Sequence, residues 1–320
     1  MIISHDLITI FLLHQILVTP FGDKINESVS LCNLANAYHC LGQYKKAIDF
    51  YQQSLDISQV FIDKEGEASS LNGLGVVYNL LGQYQKAIDL HWKSLEIKLT
   101  LGNKQGQAYS FGNLGSAYYY LRKYKQAIGF YQQALQITQE IGDKQGESNS
   151  LGGLGLAYSS LGQYRKAIDF YKQALDISQV NSDKKVTATS FCNLGNAYYS
   201  LGKYKKAINF HQQSLEISQA IRYKRNELNS LTSLVEIYHH ICKFKEGFVA
   251  LNRANKLLQE LQIPIPESYA KRLILIVRFA QRGKWQIALC FCIGLFAFPL
   301  YLAYLVTLLF WRFLRSLTKR

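Results

Sequence analysis

The sequence predicts an all-α solenoid of stacked helix-turn-helix repeats followed by a membrane-spanning helix. Three observations carry that expectation. The chain aligns with itself at one constant offset, so that Leu34 recurs as Leu74, Leu114, Leu154 and Leu194, and positions 41 to 60 match 161 to 180 at 17 of 20 places. Within each copy the apolar residues recur at helical spacing, broken by a short Leu-Gly turn. Near the end, the run from Gln286 to Phe310 carries no charged side chain.

Residues 1 to 20 open with "LITIFLLHQILVT", which has the apolar character of a signal-peptide core. No Lys or Arg precedes it, no small-residue cleavage site follows, and His14 and Gln15 interrupt it. "GDKINES" at 22 to 28 is in register with "GDKQGES" at 142 to 148, so the segment before it falls where a second repeat helix belongs. A degenerate capping helix is expected there.

Residues 21 to 262 hold about six repeats. The beat passes through Leu34/Tyr38/Tyr44/Ala47 and its equivalents, ending in an eroded sixth copy, Leu234/Tyr238/Phe244/Gly247. In the fourth copy Leu151, Leu154 and Tyr158 mark one helix, while Tyr164, Ala167, Ile168, Tyr171, Ala174 and Leu175 mark the apolar stripe of the next. Gly102 and Gly142 suit helix ends, and Asn103 and Asp143 suit the following starts. A single pair cannot bury its stripe, so successive pairs must stack. Gly155 and Ala167 allow close approach, with Tyr158 and Tyr171 filling the space beside them.

Leu154-Gly155-Leu156-Ala157-Tyr158, followed by Ala167, Tyr171 and Ala174, closely resembles the tetratricopeptide repeat, in the long form found in kinesin light chain and bacterial multi-repeat proteins. The family's frequent tryptophan position holds Leu31, Leu71, Phe111, Leu151, Phe191 and Leu231, and its usual proline is absent. The resemblance implies a right-handed superhelix whose first helices line a concave groove. It therefore implies that Asn33, Asn36, Asn113, Asn193 and Asn196 face a bound peptide or protein, with Tyr119 and Tyr199 adding apolar contact and a hydroxyl. An asparagine amide offers donors and an acceptor that match an extended backbone. The competing reading is that these side chains only solvate the groove. The relatives' chaperone-tail clamp places lysines where this chain has Cys32, Asn72, Gly112, Gly152, Cys192 and Thr232, which disfavours that ligand.

Catalytic, metal and cofactor readings find little to rest on. Gly153-Leu154-Gly155 lacks a third glycine and lies within a helix, and Gly202-Lys203 is followed by Tyr204, so neither makes a phosphate loop. The cysteines at 32, 40, 192, 242, 290 and 292 show no CxxC pair and read as buried thiols. His239, His240 and Cys242 are the only compact cluster, on the eroded repeat, without a specified acid. His91 and His211 occupy the register of Tyr51, Tyr131 and Tyr171, as replacements for a packing aromatic. No enzyme activity, metal or cofactor is expected.

The net charge of +14 is concentrated near the end. From residue 263 onward nine Lys and Arg face only Glu267, whereas the chain before it carries 27 against 21. Tyrosines and lysines within the repeats have packing and solvation roles, so nucleic acid is disfavoured as a partner. "IPIPES" at 263 to 268 interrupts the beat, and residues 263 to 284 form a linker and an amphipathic capping helix. Residues 285 to 311 read as a transmembrane helix in contact with lipid: Trp285 and Trp311 bracket an apolar run of about 37 Å, longer than the roughly 30 Å hydrocarbon core. Residues 312 to 320 are a basic tail. Five positive residues at 271 to 284 nearly balance four at 312 to 320, and the lack of a convincing leader favours repeats on the cytoplasmic side of a single-pass C-terminal anchor. The expectation is a membrane-anchored adaptor that binds a peptide or protein. The alternative is an assembly component of a membrane complex acting mainly through its transmembrane helix.

Overall fold

The computed structural model describes residues 24–241 and 243–261. The expected capping helix at 1–20, the linker, the transmembrane helix and the basic tail lie outside these residues. No helix among the described residues is long and apolar enough to cross a membrane.

Helices alternate with short turns. They are α1 (Lys24–Cys40), α2 (Tyr44–Val60), α3 (Lys64–Leu80), α4 (Tyr84–Thr100), α5 (Lys104–Tyr120), α6 (Tyr124–Ile141), α7 (Lys144–Ser160), α8 (Tyr164–Val180), α9 (Lys184–Ser200), α10 (Tyr204–Ala220), α11 (Lys224–His240) and α12 (Phe244–Glu260). The chain divides after Cys242 into two units, so α12 is described by itself: Ala250, Leu251, Ala254, Leu257 and Leu258 form its buried stripe.

The turns follow from backbone chemistry. Gly142 closes α6 in the left-handed conformation at φ 72°, and the Asp143 side chain then accepts from the Gly146 amide at 2.9 Å to cap α7. Asp63 and Asn103 cap α3 and α5 in the same way. Tyr223 takes this place before α11 and makes no side-chain cap bond.

From α1 to α11, each helix packs against the ones before and after it in sequence, and the first helices of successive pairs also touch one another. The odd-numbered helices α1 to α11 therefore form a continuous inner layer and the even-numbered helices α2 to α10 an outer layer. Leu34, Leu114, Leu154 and Leu194 are almost wholly buried between the layers, as are Ala47, Ala127, Ala167 and Ala207. Tyr38, Tyr118, Tyr158 and Tyr198 stack on Phe50, Phe130, Phe170 and Phe210 at centroid distances of 5.0–5.3 Å. Lys46, Lys166 and Lys206 lie over three of these tyrosine rings. Lysines and tyrosines near the Leu-Gly turns thus satisfy one another within the chain.

Serines contribute more to the core than the apolar pattern anticipates. Ser54 donates to the Ser28 carbonyl, Ser94 to that of Ala68 and Ser214 to that of Ala188, at 2.8 Å each. These bonds tie an outer helix to the backbone of the inner helix before it, so each buried hydroxyl has an acceptor. One expectation for the cysteines needs correction: Cys192 is buried, but Cys32 is only partly so and Cys40 is exposed, because it ends α1 beside the turn.

Candidate peptide-binding groove on the inner helices

A recurring contact shapes the inner surface. One aromatic residue from each outer helix from α2 to α10, Tyr51, His91, Tyr131, Tyr171 or His211, is buried against the inner layer. It fits because the facing residue is small: a Cβ on Gly75 would come within 2.5 Å of His91, and one on Gly155 within 2.4 Å of Tyr171. Histidine at 91 and 211 occupies the same notch as tyrosine, as the register requires.

A second glycine decides whether this ring reaches the open face. Gly73 lies against Tyr51 and Gly153 against Tyr131, each too close for a Cβ. There the phenols border open depressions, of 390 Å³ at Tyr51 and 440 Å³ at Tyr131. The Tyr51 hydroxyl donates to Asn36 Oδ1 at 2.6 Å, and that of Tyr131 lies 3.1 Å from Ser116 Oγ. Burial pushes the Tyr131 phenol up to about 12 and raises Tyr51 as well, with lesser contributions to Tyr51 from Cys32 and Cys40. Both phenols therefore stay protonated and can donate.

On the rung between the depressions, asparagine replaces the second glycine. Asn113 Nδ2 donates to Asn72 Oδ1 at 2.9 Å, and His91 Nδ1 lies 3.1 Å from the same oxygen. A carbonyl oxygen only accepts, so Nδ1 carries the proton and Nε2 faces the Asn79 amide at 3.4 Å. Burial lowers His91 to about 4, which keeps this neutral tautomer.

The expected site residues divide into two groups. Asn36 borders the first depression and Asn193 the second, while Asn113 lines a smaller cavity that also contains Tyr131. Asn33 is exposed on α1. The others are tied to neighbours: Asn196 Oδ1 accepts from Ser233 at 3.1 Å, and Tyr119 oxygen accepts from Ser160 at 3.2 Å. Tyr119 packs on Tyr120 and Tyr124, and Tyr199 on Tyr204 and His240. Desolvation raises the Tyr199 phenol, aided by Glu236 and Tyr204.

Sequence reasoning missed several members of the surface. Lys98 is buried where other copies have Ser58, Thr138, Ser178 and Ser218, and its Nζ donates to the Glu65 carboxylate. Asn103 Nδ2 also donates to Glu65 at 3.2 Å. The departure from Ser/Thr at position 98 was the available signal. Lys185 at the second depression lies 5.4 Å from the Tyr223 ring centroid. Among the described residues no group of three or more His, Cys, Asp or Glu is arranged to hold a metal. Tyr199 and Tyr204 flank His240 in an aromatic cluster.

No curated protein sequence matches the chain significantly. Solved structures do. BtubC (BKLC) from P. vanneervenii is 19% identical, with 70% of this chain and 94% of that one covered at a TM-score of 0.60. Putative kinesin light chain repeats of Podosopora anserina are 20% identical over 63% and 99%, with a TM-score of 0.52. A Rap protein complexed with Competence and Sporulation Factor is 16% identical over 85% of each chain, with a TM-score of 0.61. At these identities the likeness shows the fold. The family model of the tetratricopeptide repeat matches residues 20–100, 105–179 and 182–260, and the chain belongs to that family.

Proposed function

We propose that this protein is a non-enzymatic scaffold that binds an extended segment of a peptide or protein partner along its inner helices. One observation carries the reading: amides and protonated phenols line depressions on the inner face, where they can pair with a peptide backbone. A structural neighbour, the Rap protein, is solved in complex with a factor, which is consistent with use of such a fold for binding. Asn33, Asn36, Asn113, Asn193, Asn196, Tyr119 and Tyr199 supply candidate contacts, and Asn36, Asn113 and Asn193 are the best placed of them.

We further assign residues 285–311 to a membrane anchor, on their uncharged length and flanking tryptophans. Anchoring confines the repeats to a surface and raises the local concentration of a partner. Crosslinking and affinity capture should recover partners with the wild type that an Asn36/Asn113/Asn196 triple alanine variant loses. Equal capture by both removes the asparagines from the site. Membrane fractions washed at high salt and alkaline pH should retain the full chain and release one truncated after residue 284; release of both rules out a spanning anchor.

A further inference from the structure

The two edges of the stack from α1 to α11 carry different charge. Each inner helix runs into its outer helix through a short turn, and successive helices alternate in direction, so these turns lie together at one edge. Neighbouring turns touch there: Tyr84 stacks on Tyr120 at 5.5 Å, and the Ser160 hydroxyl donates to the Tyr119 oxygen at 3.2 Å. Positions 34–47, 74–87, 114–127, 154–167 and 194–207, which span these turns, hold eleven Lys and Arg and no Asp or Glu. The matching windows at the opposite edge, from 54–67 to 214–227, hold nine Lys and Arg against twelve Asp and Glu.

The nearest carboxylates along the chain do not cancel this charge. Asp49, Asp89 and Asp169 lie about one helical turn further along the outer helices, and among the described residues none forms an ion pair with the basic edge. The third and fifth copies have Gly129 and Asn209 at that position, and they are the copies with three basic residues each. Five of the eleven cations lie over tyrosine rings. The other six, Lys45, Arg122, Lys125, Arg165, Lys203 and Lys205, are exposed and contact neither a ring nor a carboxylate among the described residues. At the opposite edge Lys64, Lys104 and Lys144 are paired with Glu67, Glu140 and Glu147.

Helix stability does not account for the arrangement. The first turns of α2, α4, α6, α8 and α10 contain no acid and are basic instead, against the preference of a helix N-terminus for negative charge. Apolar side chains also stand out at this edge. Leu80 is 55% and Tyr120 56% exposed, at the position where other copies have Cys40, Ser160 and Ser200.

We propose that the basic edge docks on an anionic lipid surface, with its Lys and Arg side chains at the phosphates and Leu80 and Tyr120 entering between the headgroups. Cations beside exposed apolar side chains are the chemistry such a surface selects. A nucleic-acid backbone would pair with the cations but would leave the exposed leucine in water, so lipid accounts for more of the edge. The contact is made by the turns and leaves the amides and phenols of the inner face to a partner. It requires neither the groove reading nor a membrane span at 285–311.

The test reconstitutes the full chain with vesicles of phosphatidylcholine alone, or of equal parts phosphatidylcholine and phosphatidylserine, and reads lysine acylation by mass spectrometry. Phosphatidylserine should slow acylation of Lys45, Lys125, Lys203 and Lys205 by about fivefold or more. Lys64, Lys104, Lys144 and Lys184 at the opposite edge should not change, and added salt should remove the protection. Lys45→Glu/Lys125→Glu/Lys203→Glu/Lys205→Glu replaces four cations that contact neither ring nor carboxylate, with acids that suit a helix N-terminus. It should stay folded by its melting curve and lose the protection at Lys46, Lys166 and Lys206. The same charge change in Lys93→Glu/Lys104→Glu/Lys172→Glu/Lys184→Glu, away from this edge, should keep it. Leu80→Ser/Tyr120→Ser, which installs the residue of the fourth and fifth copies, should weaken the protection; indifference to it overturns the insertion of these side chains. Equal acylation of the two edges in both lipids, or protection that survives the charge reversal, overturns the inference. Stronger protection by duplex DNA or single-stranded RNA at equal phosphate, indifferent to Leu80→Ser/Tyr120→Ser, assigns the edge to nucleic acid and also overturns it. Alkaline washing and affinity capture read the anchor and the groove separately, so their failure is distinct from this one.

Discussion

His91 and His211 show how one register position can hold two chemistries. Both are fully buried in notches that tyrosine fills in other repeats, and burial lowers each from the ordinary 6.5 to about 4. Neither nitrogen of His211 has a hydrogen-bond partner among the described residues, whereas both nitrogens of His91 do. Because the folded-state values lie below the unfolded ones, the unfolded chain binds protons first as pH falls. Stability is therefore complete above about 6.5 and declines towards 4, by at most about 3 kcal/mol per histidine. A His91→Tyr/His211→Tyr variant should lose less stability between pH 7 and 4 than the wild type in urea titrations. Parallel losses would mean that other groups govern the acid limb.

At the scale of helices and turns, most of the architecture is legible in the sequence. Stripes such as Leu151/Leu154/Tyr158 and the Asp143 and Asn103 caps fall where the structure has them, because helical period and capping are local properties. The two pockets are less legible. Gly73 and Gly153 are visibly glycines, but their purpose depends on the Tyr51 and Tyr131 rings of the preceding repeat, brought close only by packing. The Lys98–Glu65 pair is hidden for the same reason: its members belong to different helices and meet only when the stack forms. Turns also record local strain. Ile62 has φ 57° at the position where Gly102 and Gly142 stand in later repeats, and its side chain is 76% exposed. A β-branched residue pays about 1–2 kcal/mol in this conformation, and little packing would be lost with the side chain. Ile62→Gly should therefore raise stability by about 1 kcal/mol in chemical unfolding. A decrease would show that Ile62 makes contacts worth more than its backbone cost.

Across the stack from α1 to α11, helices touch mainly their sequence neighbours and the inner helix one repeat away. Stability in such an array is the sum of intrinsic repeat terms and interfaces between adjacent repeats. A defect should then spread by interfaces and weaken with distance along the stack. Leu154 is fully buried in α7, with Tyr131 and Ala127 of α6 in the same apolar cluster. Leu154→Ala should cost about 2–5 kcal/mol through lost contacts and a residual cavity. Native-state hydrogen exchange under weakly denaturing conditions should accelerate most in α6, α7 and α8, less in the next helices on either side, and least in α1 and α2. Equal acceleration from α1 to α11 would mean that the stack unfolds as one cooperative body, so that neighbour contacts alone do not describe its stability.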